Sequence, residues 1–137
     1  MIDEGAMVRG HLLTYAPLTA VVGQRIMTTP LQEGTTLQAM ISHEIRGGTA
    51  DPMGHLLTPT FEFHCWGATR KIARQVYGLL FDALHGIENK SVTVGSSSTV
   101  IKSALEISHG DDLIHEATHW PFVSCRFSVM MTNRHVR

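Results

Sequence analysis

The chain has 137 residues, a length that suits one domain with its own core. Apolar residues make up 43% and charged residues 17%, with a net charge of −1. That composition excludes a disordered or collagen-like chain. No basic run exceeds Arg70-Lys71, which argues against tight nucleic-acid binding. No apolar stretch approaches the ~20 residues of a membrane span, and MIDEGAMVRG lacks a signal-peptide core.

In chain order, Asp3 to Tyr15 is predicted to be a helix. Asp3 caps it, Glu4 suits the positive dipole end, and Val8, Leu12 and Tyr15 form one stripe beside Met7 and Leu13. Pro17 to Val22 opens as a short helical turn that Gly23 stops. Arg25 to Thr28 reads as a short strand, and Pro30 to Gln38 as a loop. Ala39 to Arg46 alternates with period two, the pattern of a half-buried strand. The segment GGTADPMGHL, 47 to 56, is rich in turn residues and is expected to be a mobile loop.

Thr60 to Trp66 alternates again, with Phe61, Phe63 and Cys65 against Glu62, His64 and Trp66. Gly67 breaks that strand and Thr69 caps a helix. Ile72, Val76, Leu79, Leu80 and Ala83 follow at helical spacing, up to His85 and the stop at Gly86. Asn89 to Thr99 is polar and Ser/Gly-rich and reads as a strand edge and a turn, with GSSST at 95 to 99 as a flexible turn. Val100 to Ser108 alternates with Ile101, Leu105 and Ile107 on one face. Phe122 to Met131 closes the domain with Val123, Cys125, Phe127 and Val129 inward, before a polar tail.

This order predicts an α+β fold: an antiparallel or mixed sheet of about four to five strands with two helices packed on one face. The other face carries Glu44, Glu62, His64, Trp66 and Arg126, and is expected to be wet or an oligomer interface. Cys65 and Cys125 share the inward phase and read as buried free thiols rather than a disulfide framework.

The motif that demands weighing is HEATH, His115 to His119, which fits the H-E-x-x-H zinc-peptidase pattern. Zinc chemistry there needs both histidines on one helix face, with Glu116 as general base. The window is short, because Gly110 precedes it and Pro121 biases Trp120 toward extended geometry. The metzincin extension requires Gly at 122 and His at 125, where this chain has Phe122 and Cys125. His135 lies beyond a strand roughly 30 Å long. The segment therefore reads as a polar connection between the last two strands. The alternatives are a small zinc metallopeptidase, or a surface metal site using Asp111, Asp112, His115 and His119.

Other chemistry has less behind it. There is no phosphate-binding glycine loop and no nucleophile elbow. His64 and Cys65 are adjacent on a strand and point to opposite faces. Glu44 and Glu62 share a face as a possible carboxylate pair. We assign no catalytic, cofactor-binding or metal-ligating residue.

Several segments resemble the phage tail completion, or tail-terminator, family over roughly residues 12 to 131. The sharpest parts are the steps Val22-Gly23-Gln24-Arg25-Ile26 and Cys65-Trp66-Gly67-Ala68-Thr69. The closing FVSCRFSVMM is similar to the family's last strand. The chain departs from the family at Pro30-Leu31-Gln32-Glu33-Gly34, where its loop is longer. The resemblance implies a non-enzymatic virion protein of a long-tailed phage or gene-transfer particle. Such proteins form a ring, usually a homohexamer, on the head-proximal end of the tail tube. The ring ends tube polymerisation, docks a neck connector protein and lets DNA pass. Another neck or tube component is the alternative within that class. Loops 31 to 37 and 47 to 57 are expected to reach axial partners.

Overall fold

The computed structural model describes residues 1–133. The order is α1 (Glu4–Leu12), α2 (Ala16–Val22), β1 (Ile26–Thr28), β2 (Met40–Ala50), β3 (Leu56–Trp66), α3 (Arg70–Leu84), β4 (Glu88–Val94), β5 (Ser97–Ile114) and β6 (Pro121–Thr132). The strands form one six-stranded sheet in the order β1-β2-β3-β6-β5-β4. β1 runs parallel to β2 and every other pairing is antiparallel, so the sheet is mixed.

The α+β class holds, with six strands and three helices in place of the expected four to five and two. The extra strand is β4, whose residues are exposed except Val92 and so carry little apolar signal. β4 turns into β5 through Gly95 at φ +60, a conformation that suits glycine. The GSSST segment is thus one tight turn and the start of a strand.

Local chemistry sets the helix ends. The Asp3 side chain accepts from Ala6 N and caps α1, as expected, but α1 stops at Leu12. Tyr15 then becomes the N-cap of α2, with Pro17 in its first turn and Gly23 at φ 59 closing it. Thr69 caps α3 by accepting from Ile72 N. The buried stripe of α3 is Ala73, Val76, Tyr77, Leu80, Ala83 and Leu84, so it is rotated from the expected one and leaves Ile72 and Leu79 half-buried.

Two strand expectations fail for one reason, β-bulges. β5 carries three register shifts against β6, at 101/103, 106/108 and 108/111. Each extra residue reverses which face the next side chain takes. Ile101 is therefore buried, while Leu105 and Ile107 are 51% and 58% exposed. On β2 a shift between Ile45 and Gly48 lets the strand continue to Ala50. A Cβ at Gly48, φ +127, would lie 2.3 Å from the Thr58 carbonyl oxygen, so glycine permits the close approach. The segment 47 to 56 is thus mostly hairpin, with its turn at 51 to 55. Asp51 Oδ1 accepts from His55 N and Leu56 N, and Asn133 bonds Gly54 O and His55 O, so the turn is tied down rather than loose.

The core lies between the helices and one sheet face. Phe61, Phe63 and Phe127 are fully buried at its centre, with the Phe61 and Phe63 rings stacked at 5.8 Å and Phe127 edge-on to Phe63 at 5.7 Å. Cys65 and Cys125 sit in this layer as free buried thiols. α3 packs on β3, β6 and β5, and α1 touches both β2 and β4, so the bulged sheet curls around the helices. No helix among the described residues is long and apolar enough to cross a membrane.

Candidate functional site

The face of the sheet away from the helices has a layered chemistry set by register. Across β2, β3, β6 and β5 the outward residues form rows: Met40, Trp66, Phe122 and Leu113; then Ser42, His64, Ser124 and Asp111; then Glu44, Glu62, Arg126 and Ser108. One end is aromatic and the other charged.

At the charged end Glu62 is the hub. Its carboxylate accepts from Arg126 Nε at 3.1 Å and Nη2 at 3.0 Å, lies 3.1 Å from His64 Nε2, and has Arg46 at 3.7 Å. Burial pushes its pKa up, but hydrogen bonds and charge from Arg126, His64 and Arg46 outweigh that and hold it below the usual range. Glu44 stands opposite Glu62 in register, and Arg46 bridges the two, 3.2 Å from Glu44. The pair is neutralised by cations, which is the arrangement of a structural ion network.

At the aromatic end Trp66 is only 4% exposed. Its indole Nε1 donates to Ser42 Oγ at 3.0 Å. Phe122 lies 4.6 Å from it, Trp120 meets it edge-on at 6.2 Å, and His115 lies at 5.9 Å. These rings and the loop Thr29 to Thr35 enclose a groove of about 450 Å³, also lined by Ser42, His64 and Thr118. Sequence periodicity placed Trp66 on this face. It could not show that the 30 to 35 loop and Trp120 fold over it, because both come from distant segments.

HEATH lies in the hairpin turn between β5 and β6, not on a helix. His115 N donates to Trp120 O, His119 N donates to His115 O, and His119 has φ 59. His115 Nδ1 is 2.9 Å from Thr118 Oγ1, so that nitrogen has a protein partner. The helical face that zinc-peptidase chemistry needs is not formed. Asp112 is paired instead with Arg74 at 2.9 Å. Among the described residues no group of three or more His, Cys, Asp or Glu converges as a metal site. His135 lies outside the described residues.

The structure also assembles a polar cluster between α3 and β5 that sequence spacing did not reveal. Tyr77 donates to Glu106, His109 Nδ1 lies 2.5 Å from Glu106 Oε1, and Gly110 N donates to Tyr77 Oη at 3.1 Å. Arg74 sits over the Tyr77 ring at 5.4 Å and donates to Gly110 O. Burial and then the Glu106 carboxylate push the Tyr77 phenol well above its ordinary value, so it stays protonated as a donor. The cluster anchors the bulged part of β5 to α3. His64 and Cys65 do point to opposite faces, and burial followed by the neighbouring Cys125 pushes the Cys65 thiol far up, away from thiolate chemistry.

The two motif steps each have a structural task. Gly23 ends α2, and Arg25 then donates to Ala39 O and Val21 O, binding α2 to the start of β2. In the second step Cys65 fills the core, Trp66 roofs the other face and Thr69 caps α3. A Cβ at Gly67 would lie 2.5 Å from Ala73 N, so glycine lets α3 begin directly against the strand end.

No protein-family model and no curated protein matches the sequence. Among solved structures the chain shares its fold with a chain in the virion of a native gene transfer agent particle, at 15% identity, 95% coverage of both chains and a TM-score of 0.69. It is also similar to the bacteriophage SPP1 gp17 protein, at 16% identity, covering 93% of this chain and 86% of that one, with a TM-score of 0.49. At 15% identity the likeness to the virion chain is one of fold.

Proposed function

We propose that this chain is a non-enzymatic structural protein of a phage or gene-transfer virion, acting as a tail terminator. In this role it forms a ring, a homohexamer, on the head-proximal end of the tail tube, after assembly in the host cytoplasm. The ring stops tube polymerisation and offers its upper surface to a neck connector protein, while DNA passes without sequence-specific binding. The observation that carries this is the fold shared over 95% of its length with a virion chain, in a sequence that independently resembles the tail completion family at two motif steps.

Physical features support it. The described residues form one α+β unit around one core, and its open face joins an aromatic groove to an ion network. Rings need heterologous contacts, in which one patch meets a different patch on the neighbour. A net charge of −1 lets DNA slide past without being held. The loop 31 to 35 forms a groove wall, and the 51 to 55 turn is a rigid tip, so both are available for docking at little ordering cost. HEATH, as a hairpin turn, contributes no reaction, and the role needs no cofactor.

Native mass measurement of the purified chain, with and without isolated tail tubes, tests the proposal. A six-fold ring on the tube end, together with tubes that cease to lengthen, is expected. A chain that stays monomeric in both conditions and leaves tube growth unchanged overturns it.

A further inference from the structure

A second cavity, of about 610 Å³, lies where α1 meets β1 and the loop after it. His43 on β2 lines this cavity and is only 3% exposed. Its ring lies 6.1 Å from Phe61 and 6.1 Å from Phe63, and its nitrogens make no hydrogen bond with any described residue. A neutral imidazole carries one N–H donor, and leaving a buried donor unpaired is costly. Thr29 repeats the pattern. Its Oγ1 is buried without a partner among the described residues, and Thr29 lines the same cavity.

Arg9 supplies a fixed cation on the cavity wall. Its Nε donates to Ile26 O at 2.7 Å and its Nη2 to Gln24 O at 3.0 Å. Both partners are neutral carbonyls, and among the described residues no carboxylate pairs with it. Asp3 is the one carboxylate among the described lining residues. It is exposed, and its Oδ1 is engaged by Ala6 N. Burial first, and then Arg9, hold the imidazole neutral, and the Arg9 charge outweighs that of Asp3 there. Gly5 stands between Asp3 and His43: a Cβ there would lie 3.6 Å from Asp3 Oδ1 and 3.4 Å from His43 Cε1. Glycine leaves that approach to the ring open.

We propose that this cavity binds a small free oxyanion of the sulfate or phosphate class, held by Arg9, the His43 N–H and the Thr29 hydroxyl. The three donors come from α1, β2 and the loop after β1, and each keeps donor capacity that the fold does not use. A guanidinium bonded to an oxyanion is among the stronger hydrogen bonds. The recessed ring selects a compact ion, since a DNA duplex cannot bring its backbone down to a side chain 3% exposed. The charged groups facing His43 are Arg9 and Asp3, from α1 and its cap. β3 presents only the Phe61 and Phe63 rings, β1 and its loop present Thr28 and Thr29, and Glu44 on its own strand points to the other face. An anion beside the imidazole favours its protonated form, so binding takes up a proton and strengthens as pH falls through the histidine range. A single chain carries the whole site, so the proposal does not depend on ring assembly.

Calorimetric titration of the full chain with sodium sulfate, at ionic strength held constant with chloride, tests the site. Sulfate keeps its charge across the range, so any pH dependence belongs to the protein. One-site binding is expected, with an affinity that rises roughly threefold or more from about pH 7.5 to about pH 6. Thr29→Val removes a hydroxyl that has no partner in the fold. It is expected to keep the parent's melting temperature without sulfate and to weaken binding roughly two- to tenfold. His43→Phe, which keeps a ring in place, is expected to weaken binding by roughly tenfold or more and to abolish its pH dependence. Should His43→Phe fail to fold, Thr29→Val and the wild-type pH profile decide the matter. A wild-type chain that takes up no sulfate at millimolar concentration overturns the proposal. So does binding that Thr29→Val retains in full, or an affinity that does not change with pH. Displacement of sulfate by duplex DNA overturns the assignment to a free, compact ion.

Discussion

The two faces of the sheet follow different rules. The face under the helices is filled by Phe61, Phe63, Cys65, Val123, Cys125, Phe127 and Val129, all essentially without exposure. Its stability comes from area and packing, and neighbouring residues share the work. The open face depends on particular partners instead: Glu62 on its cations, Trp66 on Ser42 and on a loop brought from elsewhere. One face builds the fold, and the other uses the built fold to hold chemistry in place.

Substitutions should separate the two faces by size of effect. Phe63→Ala, at the centre of the covered face, should lose about 3–5 kcal/mol in a urea titration, through lost burial and a residual cavity. Gly67→Ala, at the joint between the faces, should lose about 1–3 kcal/mol, because the new methyl meets the backbone of α3. A loss under half a kcal/mol there would show that α3 can move outward cheaply.

Glu62→Gln should act through pH. The folded pKa of Glu62 lies below the unfolded value, so its charge contributes stability above the ordinary glutamate range and loses it as pH falls through the folded value. The wild-type chain should therefore lose thermal stability below about pH 4.3 more steeply than Glu62→Gln. His43 adds a slope of the same sign, at higher pH. Burial first, and then Arg9, hold its pKa below the ordinary value, so stability declines as pH falls below about 6.5. Parallel melting curves for wild type and Glu62→Gln below pH 4.3 would remove the network's role. Smallest of all, Glu116→Gln on the exposed hairpin should shift stability by less than about 0.5 kcal/mol. Zinc should leave its melting temperature, and that of the wild type, unchanged. A zinc-dependent rise in either chain would reopen the metal reading.

Legibility followed the range of the interactions. The caps at Asp3 and Thr69, the stop at Gly23 and the alternation of Thr60 to Trp66 depend on residues a few positions apart, and all of them occur. The face of Leu105 and Ile107 was misassigned because bulges are chosen by the partner strand β6 and by Tyr77 and Arg74 on α3, not by local pattern. The segment 47 to 56 looked like a loose loop because its glycines signal turns. Pairing with β3 turned two of them into a bulge. β4 showed only as a strand edge within 89 to 99, since an exposed edge strand has little alternation to display.

The candidate site was less legible than the fold. Sequence phase placed Trp66, His64 and Glu62 on one face, and Pro121 argued against a helical HEATH. The groove itself requires Pro30, Ser42, Trp66, His115 and Trp120 to meet, and these lie on four separate segments. The sequence by itself determined the α+β class, the caps at Asp3 and Thr69, the stop at Gly23, the inward phase of the central strands and the lack of a helix for HEATH. Those follow from backbone propensity and short-period burial. Only the tertiary structure decided the bulges, the curl around α1 and the aromatic groove with its opposite tip. Each of these depends on which distant strand supplies the missing hydrogen bonds, and no local spacing encodes that choice.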